Sequence, residues 1–155
     1  ESFLASQNNI PAKKVALLVG GGSGHEPIYH GLIGENFADG ASCGDIFSAP
    51  PPNVTLEVTR AINRENGVLY LYGNYSGDVL NFDIAANLAA AEGIEVETVL
   101  IWDDVASALP DQKHKRRGRY NRCTRRQIPP VRCRQAKNDR QTRTQRGSNS
   151  HSFWI

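Results

Sequence analysis

Three polar side chains lie where their types and spacing could do chemistry. Ser23 and His25 fall within Gly20-Gly21-Gly22-Ser23-Gly24-His25-Glu26-Pro27, and Asp78 closes Gly73-Asn74-Tyr75-Ser76-Gly77-Asp78. An imidazole titrates near neutrality and can exchange a proton with a small polar ligand held beside it. Four glycines in five positions bare the backbone N–H groups to a small polar ligand and permit turns with positive φ. The common phosphate loops are excluded on residue grounds. The segment ends Gly24-His25-Glu26 where a P-loop needs Gly-Lys-Ser/Thr, and the third glycine of a dinucleotide fingerprint would fall on His25 or Pro27. A tight strand-to-helix turn would account for the same glycines with no ligand at all.

The apolar run Val15–Val19 reads as a strand feeding the glycine loop, and Pro27 to about Ile33 reads as a short helix with proline in its first turn. A short strand is expected over 41–48, ending at Pro50-Pro51-Pro52, then an amphipathic helix over 53–64. The continuous apolar and aromatic run 67–72 suits a strand buried in a parallel sheet. A helix over about 79–92, stopped by Gly93, and a strand over 94–101 come next. This alternation predicts an α/β fold, a layered open sheet with helices packed on it. Ligands of such sheets sit beyond the carboxyl ends of the strands, which places Ser23, His25, Asn74, Asp78, Asp103 and Asp104 at that edge.

The net charge of +2 hides a division. Residues 1–110 carry four Lys and Arg against 14 Asp and Glu, a net of −10, whereas residues 111–155 carry 14 against two, a net of +12. Beyond Gly118 the pattern is aperiodic and arginine-rich, so 119–155 is expected to be a disordered basic tail. It lacks the interleaved aromatics and the module of a nucleic-acid binder. Cys43, Cys123 and Cys133 are odd in number and without metal spacing, which points to a reducing, cytoplasmic setting with no disulfide framework and no zinc site. No segment approaches a membrane span, and Glu1 at the start suggests an incomplete amino end.

Four ordered motifs then carry a resemblance: Gly-Gly-Gly-Ser-Gly-His-Glu-Pro at 20–27, Cys-Gly-Asp-Ile-Phe-Ser-Ala-Pro at 43–50, Asn-Tyr-Ser-Gly-Asp-Val-Leu-Asn-Phe at 74–82 and Ala-Glu-Gly-Ile-Glu-Val at 91–96. Together they resemble the K domain of the dihydroxyacetone (glycerone) kinase family. The likeness covers roughly 14–118, so residues 1–118 are expected to be a partial K domain, the first part of a unit about twice as long. It implies a kinase acting on a terminal hydroxyl of a short ketose, dihydroxyacetone or an erythrulose-like one. His25 would be the general base, Asp78 its assistant, and Gly22, Ser23 and Gly24 substrate contacts along with His25 and Asp78. It also implies that this chain binds no cofactor or metal itself. ATP-Mg or a phosphotransferase-system donor would be held by a separate L-type domain or subunit, and a homodimer is the family's usual assembly.

Plainer roles compete with these. His25 could be a helix-start residue, Asp78 a cap for the helix starting near Val79, Ser23 a turn stabiliser and Asn74 a closure of its own loop. Asp103 and Asp104 read as a strand-end loop rather than a Mg²⁺ pair, and His30 reads as packing. Many relatives carry Lys where this chain has Gly73, and neither His114 nor His151 matches the family's covalent histidine. The switch after Gly118 suggests a change of reading frame. Three functions are open: the substrate-binding part of a ketose kinase, inactive alone; a non-catalytic ketose-binding sensor or coactivator; or an orphan fragment with uncovered apolar faces.

Overall fold

The computed structural model describes residues 14–35 and 37–118, together with the backbone of 2–5. The expected tail over 119–155, with Cys123, Cys133 and His151, lies outside the described residues.

Five strands form one sheet: β1 (Ser2–Ala5), β2 (Ala16–Ser23), β3 (Gly40–Ile46), β4 (Val68–Gly73) and β5 (Val96–Ile101). The spatial order is β1-β3-β2-β4-β5. The pairings from β3 through β2 and β4 to β5 are all parallel, and β1 adds an antiparallel edge on β3 that no sequence pattern announced. From β2 the chain passes to β3 on one side. It then returns through α1 (Pro52–Ile62) to β4 on the other, and α2 (Ser76–Ala91) joins β4 to β5.

Side chains alternate between the two faces of the sheet, as the pleat requires. Ala16, Leu18, Val68, Tyr70 and Tyr72 pack with Val58 and Ile62 of α1 and Phe82 and Ala85 of α2, so both helices lie on one face. Leu17, Val19, Ala41, Cys43, Leu69, Leu71 and Ile101 take the opposite face, covered by Tyr29, Ala38 and their neighbours. Phe82 is the centre of the helical layer. Its ring stacks on Tyr72 at 4.1 Å and meets Tyr70 edge-on at 5.5 Å. A Cβ on Gly20 would stand 2.7 Å from the tip of that ring, so this glycine is required by close packing.

Polar groups fix the alignment of these elements. Asp39, just before β3, accepts Lys14 Nζ on Oδ1 and the Leu17 N–H on Oδ2, each at 2.8 Å, and thereby ties the start of β2 to the start of β3. Inside the helical layer Thr59 Oγ1 donates to the Thr55 carbonyl at 2.8 Å and lies 2.6 Å from Tyr70 Oη, while Ser42 Oγ and Thr55 Oγ1 lie 2.8 Å apart. These four buried hydroxyls, of Ser42, Thr55, Thr59 and Tyr70, are thus satisfied across β3, α1 and β4. At the far end Arg60 Nε donates to Glu92 Oε2 at 2.8 Å, joining the ends of α1 and α2.

Three expectations are corrected in detail. The first strand continues through Gly20, Gly21 and Gly22 to Ser23, because the glycines pair with β3 and β4 rather than looping out. The helix expected over 27–33 is only a 3₁₀ turn at His30–Leu32. Tyr29 holds φ 64° and ψ −85°, outside helical space, and buries its ring while His30 stays exposed, so the packing role falls to Tyr29. α2 begins at Ser76 with Tyr75 as its N-cap residue, which places Asp78 inside the first turn and not at the cap. The outer side of α2 exposes Leu80, Ile84 and Leu88 at four-residue spacing, a stripe opposite to the buried Phe82, Ala85 and Ala89.

Candidate functional site

The carboxyl ends of β2, β3 and β4 carry the candidate residues. At Gly21 and Ser23 the register between β2 and β3 shifts, Gly21 facing Cys43 and Ser23 facing Ile46, so β3 holds one residue more than its partner. Such a bulge bends a strand and re-aims the side chains at its end. The two strand ends are then laced together: Ser23 Oγ donates to the Gly44 carbonyl at 2.5 Å, the Phe47 N–H donates to the Ser23 carbonyl at 2.8 Å, and the Ser48 N–H donates to the Asp45 carbonyl at 3.0 Å.

These contacts explain the glycines at 22 and 24. A Cβ on Gly22 would stand 2.8 Å from the Ser48 nitrogen, and one on Gly24, where φ is +93°, would stand 2.9 Å from the Phe47 ring. The Gly24 N–H is taken by Glu26 Oε1 at 3.2 Å, and backbone hydrogen bonds hold the Glu26 carboxyl below the usual carboxylate range. His25 is exposed, its carbonyl accepts the Ile28 N–H at 3.1 Å, and its ring meets the Phe47 ring edge-on at 5.1 Å. Ser23 is an inter-strand tie rather than a stabiliser of its own turn.

Asp78 arrives from the next crossover. Its side chain is buried, Oδ1 has no hydrogen-bond partner among the described residues, and burial pushes its carboxyl up to about 6. Burial first, and then the charge of Asp78, push the pKa of the Tyr29 phenol above its ordinary value; that hydroxyl rests against Gly21. The first turn of α2 also touches the end of the β3 loop. A Cβ on Gly77 would stand 3.5 Å from Ala49 Cβ, and Asn81 Nδ2 donates to the Pro50 carbonyl at 3.0 Å. Gly22, Ser23, Gly24 and His25 therefore form one cluster with residues 44–48, and the start of α2, which carries Asp78, packs against residues 49–50 through Gly77 and Asn81. No hydrogen bond or ion pair joins His25 directly to Asp78 among the described residues.

The remaining candidates are structural. Asn74 Nδ2 donates to the Arg116 carbonyl at 2.7 Å and the His114 carbonyl at 3.3 Å, pinning the segment that returns across the sheet edge. The Asp104 N–H donates to the Arg117 carbonyl at 2.9 Å, and its Oδ1 accepts the Ala106 N–H at 3.3 Å, so Asp104 shapes a turn. No group of three or more metal-type ligands gathers among the described residues. That returning segment supplies what sequence reasoning missed. Lys115 and Arg117 line an open cavity of about 840 Å³ with Asn74, Tyr75, Ser76 and the carboxylate Asp83, and neither cation is a predicted site residue. Tyr29 and Phe47 were missed as well, although Phe47 lies inside one of the motifs and Tyr29 two residues beyond another.

The chain matches the Dak1 domain over residues 1–123. It is 50% identical over 95 residues to the PTS-dependent dihydroxyacetone kinase 2, dihydroxyacetone-binding subunit DhaK, of Listeria innocua, covering 61% of this chain and 29% of that protein. It is 49% identical over 105 residues to a D-erythrulose kinase of Mycolicibacterium smegmatis, covering 68% of this chain and 18% of that protein. The dihydroxyacetone kinase from C. freundii, solved with AMP-PNP and Mg²⁺, superposes with a TM-score of 0.68 at 38% identity, over 75% of this chain and 21% of that one. The chain thus spans less than a third of the length of each. No helix among the described residues is long and apolar enough to cross a membrane.

Proposed function

Because the chain belongs to the Dak1 domain family, we propose that it is the ketose-holding part of a dihydroxyacetone-type kinase, which transfers a phosphoryl group to a terminal hydroxyl of dihydroxyacetone or an erythrulose-like ketose. The observation that carries this reading is Asp78: a buried carboxylate with an unpartnered oxygen, at the carboxyl edge of a parallel sheet, is costly to keep unless a ligand hydroxyl meets it. His25, exposed on the adjoining loop, is the general base. Its imidazole accepts the hydroxyl proton as the ketose oxygen attacks phosphorus, and Asp78 orients the hydroxyls of the substrate. Backbone groups of Gly22, Ser23 and Gly24, on the same loop as His25, are the remaining substrate contacts in this reading. Residues 1–118 are the partial K domain that does this work.

The donor, ATP-Mg or a phosphotransferase-system protein, is supplied by an L-type domain or subunit. Residues 20–27 and 43–50, which surround His25, contain no Lys or Arg and so offer no cations to a triphosphate, whereas Lys115 and Arg117 stand by residues 74–76. A homodimer is the assembly proposed for the longer protein.

Titration calorimetry of the full chain with dihydroxyacetone and with erythrulose tests the binding half, and addition of ATP-Mg with an L-type subunit tests turnover. Saturable binding that is lost in both His25→Ala and Asp78→Ala is expected. Absence of binding for both ketoses, or binding indifferent to both substitutions, overturns the reading. Binding without phosphorylation in a chain extended to the relatives' length would favour the ketose-sensing coactivator instead.

A further inference from the structure

Phe47 is an expensive residue in an unexpected place. It follows the bulged end of β3, adopts φ +55° where bulky side chains rarely go, and is 71% exposed as a residue. A phenyl group in that position gains little from burial, and its backbone conformation favours glycine. Residues held this way against their own preference are found where the surroundings over-determine them, often at functional sites.

The surroundings here do so. The Phe47 N–H is bound by the Ser23 carbonyl at 2.8 Å, and the ring lies beside Gly24, where an added Cβ would stand 2.9 Å from it. From that fixed base the ring meets the His25 imidazole with centroids 5.1 Å apart and planes at 64°. This is the edge-to-face geometry that aromatic pairs prefer. His25 is otherwise an exposed side chain free to turn about two torsions, and a proton acceptor must present one ring nitrogen in one direction to act within hydrogen-bond reach.

We propose that Phe47 is a positioning residue that holds the imidazole of His25 in a single orientation. Its catalytic consequence rests on the reading of His25 as the general base, but the ring contact does not. The ring acts through His25, and its loss lowers the fraction of molecules in which the base faces the ketose hydroxyl.

Two measurements on the full chain test this. In proton NMR of the free chain, cross-peaks between the Phe47 and His25 rings and ring-current-shifted His25 resonances are expected. Phe47→Tyr keeps both; Phe47→Gly, which also suits the backbone and so spares the fold, loses both, as does Phe47→Leu. In turnover of dihydroxyacetone with an L-type subunit and ATP-Mg, Phe47→Gly is expected to lower kcat about tenfold with KM changed less than about threefold, and Phe47→Tyr to restore most of kcat. Wild-type protein without the cross-peaks, or Phe47→Gly with unchanged kcat, overturns the proposal. Wild-type protein that shows the cross-peaks but neither binds nor phosphorylates ketose overturns the kinase reading and leaves the ring contact standing.

Discussion

Gly73 and Gly118 meet main chain to main chain: a Cβ on Gly118 would stand 2.7 Å from Gly73 Cα and 3.0 Å from the Asn74 nitrogen, and one on Gly73 would stand 3.2 Å from the Gly118 carbonyl oxygen. The end of β4 and the last described residue are thus packed closely enough to require glycine at 118 and to leave a side chain at 73 little room, and Asn74 holds the approach from 113–118 in place. Gly73 is the last residue of β4. In this chain that position is crowded from one side by residue 118 and from the other by the Tyr75 ring at 3.3 Å.

Gly118→Ala is therefore expected to destabilise the fold by about 2 kcal/mol and Gly73→Ala by about 1 kcal/mol, the range typical of overpacking. Urea denaturation of both variants checks this. Equal stability of Gly118→Ala and the wild type would show that the two segments are not in contact.

Asp78 makes stability depend on pH in a direction opposite to that of most carboxylates. Burial raises its carboxyl from the ordinary 3.8 to about 6, so the unfolded chain gives up this proton before the folded one does. The stabilising difference is whole below about pH 4, is lost as pH rises through the interval from about 4 to 6, and stays lost above it. Asp78→Asn removes the ionisation, and it is expected to be more stable than the wild type by up to about 2 kcal/mol at pH 7.5, with the gap closing toward pH 4. Denaturation midpoints across that range report it. A gap independent of pH would contradict the assignment of the charge to a buried, unpartnered site.

Thr59 ties α1 to β4 through the hydrogen bond with Tyr70 Oη at 2.6 Å. Thr59→Val leaves that phenol unsatisfied inside the core and should cost about 1–3 kcal/mol, whereas Thr59→Val combined with Tyr70→Phe removes both partners and should cost less than the sum of the single changes. A double-mutant cycle in urea gives the coupling. Additive costs would mean that the two hydroxyls do not interact.

Most of the architecture was legible before any coordinates. The apolar run at 15–19, the continuous run at 67–72 and the helical spacing of Val54, Val58 and Ile62 each mark an element that the fold keeps. The exceptions have physical causes. Strand β1 has four residues and its pairing is set by β3, far along the chain, so no local signal marks it. The expected helix at 27–33 failed because the Tyr29 ring gains more from burial on the sheet than the backbone gains from a helical turn, and only the sheet's presence decides that balance.

The same division holds at the site. Residue types and spacing marked the glycine loop with His25 and a set of polar residues at the carboxyl edge, because bare backbone and an imidazole have intrinsic chemistry and strand-ends have intrinsic direction, and the motif resemblance narrowed these to Gly22, Ser23, Gly24, His25 and Asp78. Which groups each of them touches was decided by tertiary contact. Burial gives Asp78 its raised carboxyl, the bulge in β3 brings Phe47 to His25, and Phe82, Tyr29 and Phe47 occupy the space that makes Gly20, Gly21 and Gly24 necessary. These are properties of distances between segments far apart in the chain, and a sequence read along its length does not contain them until the sheet has been assembled.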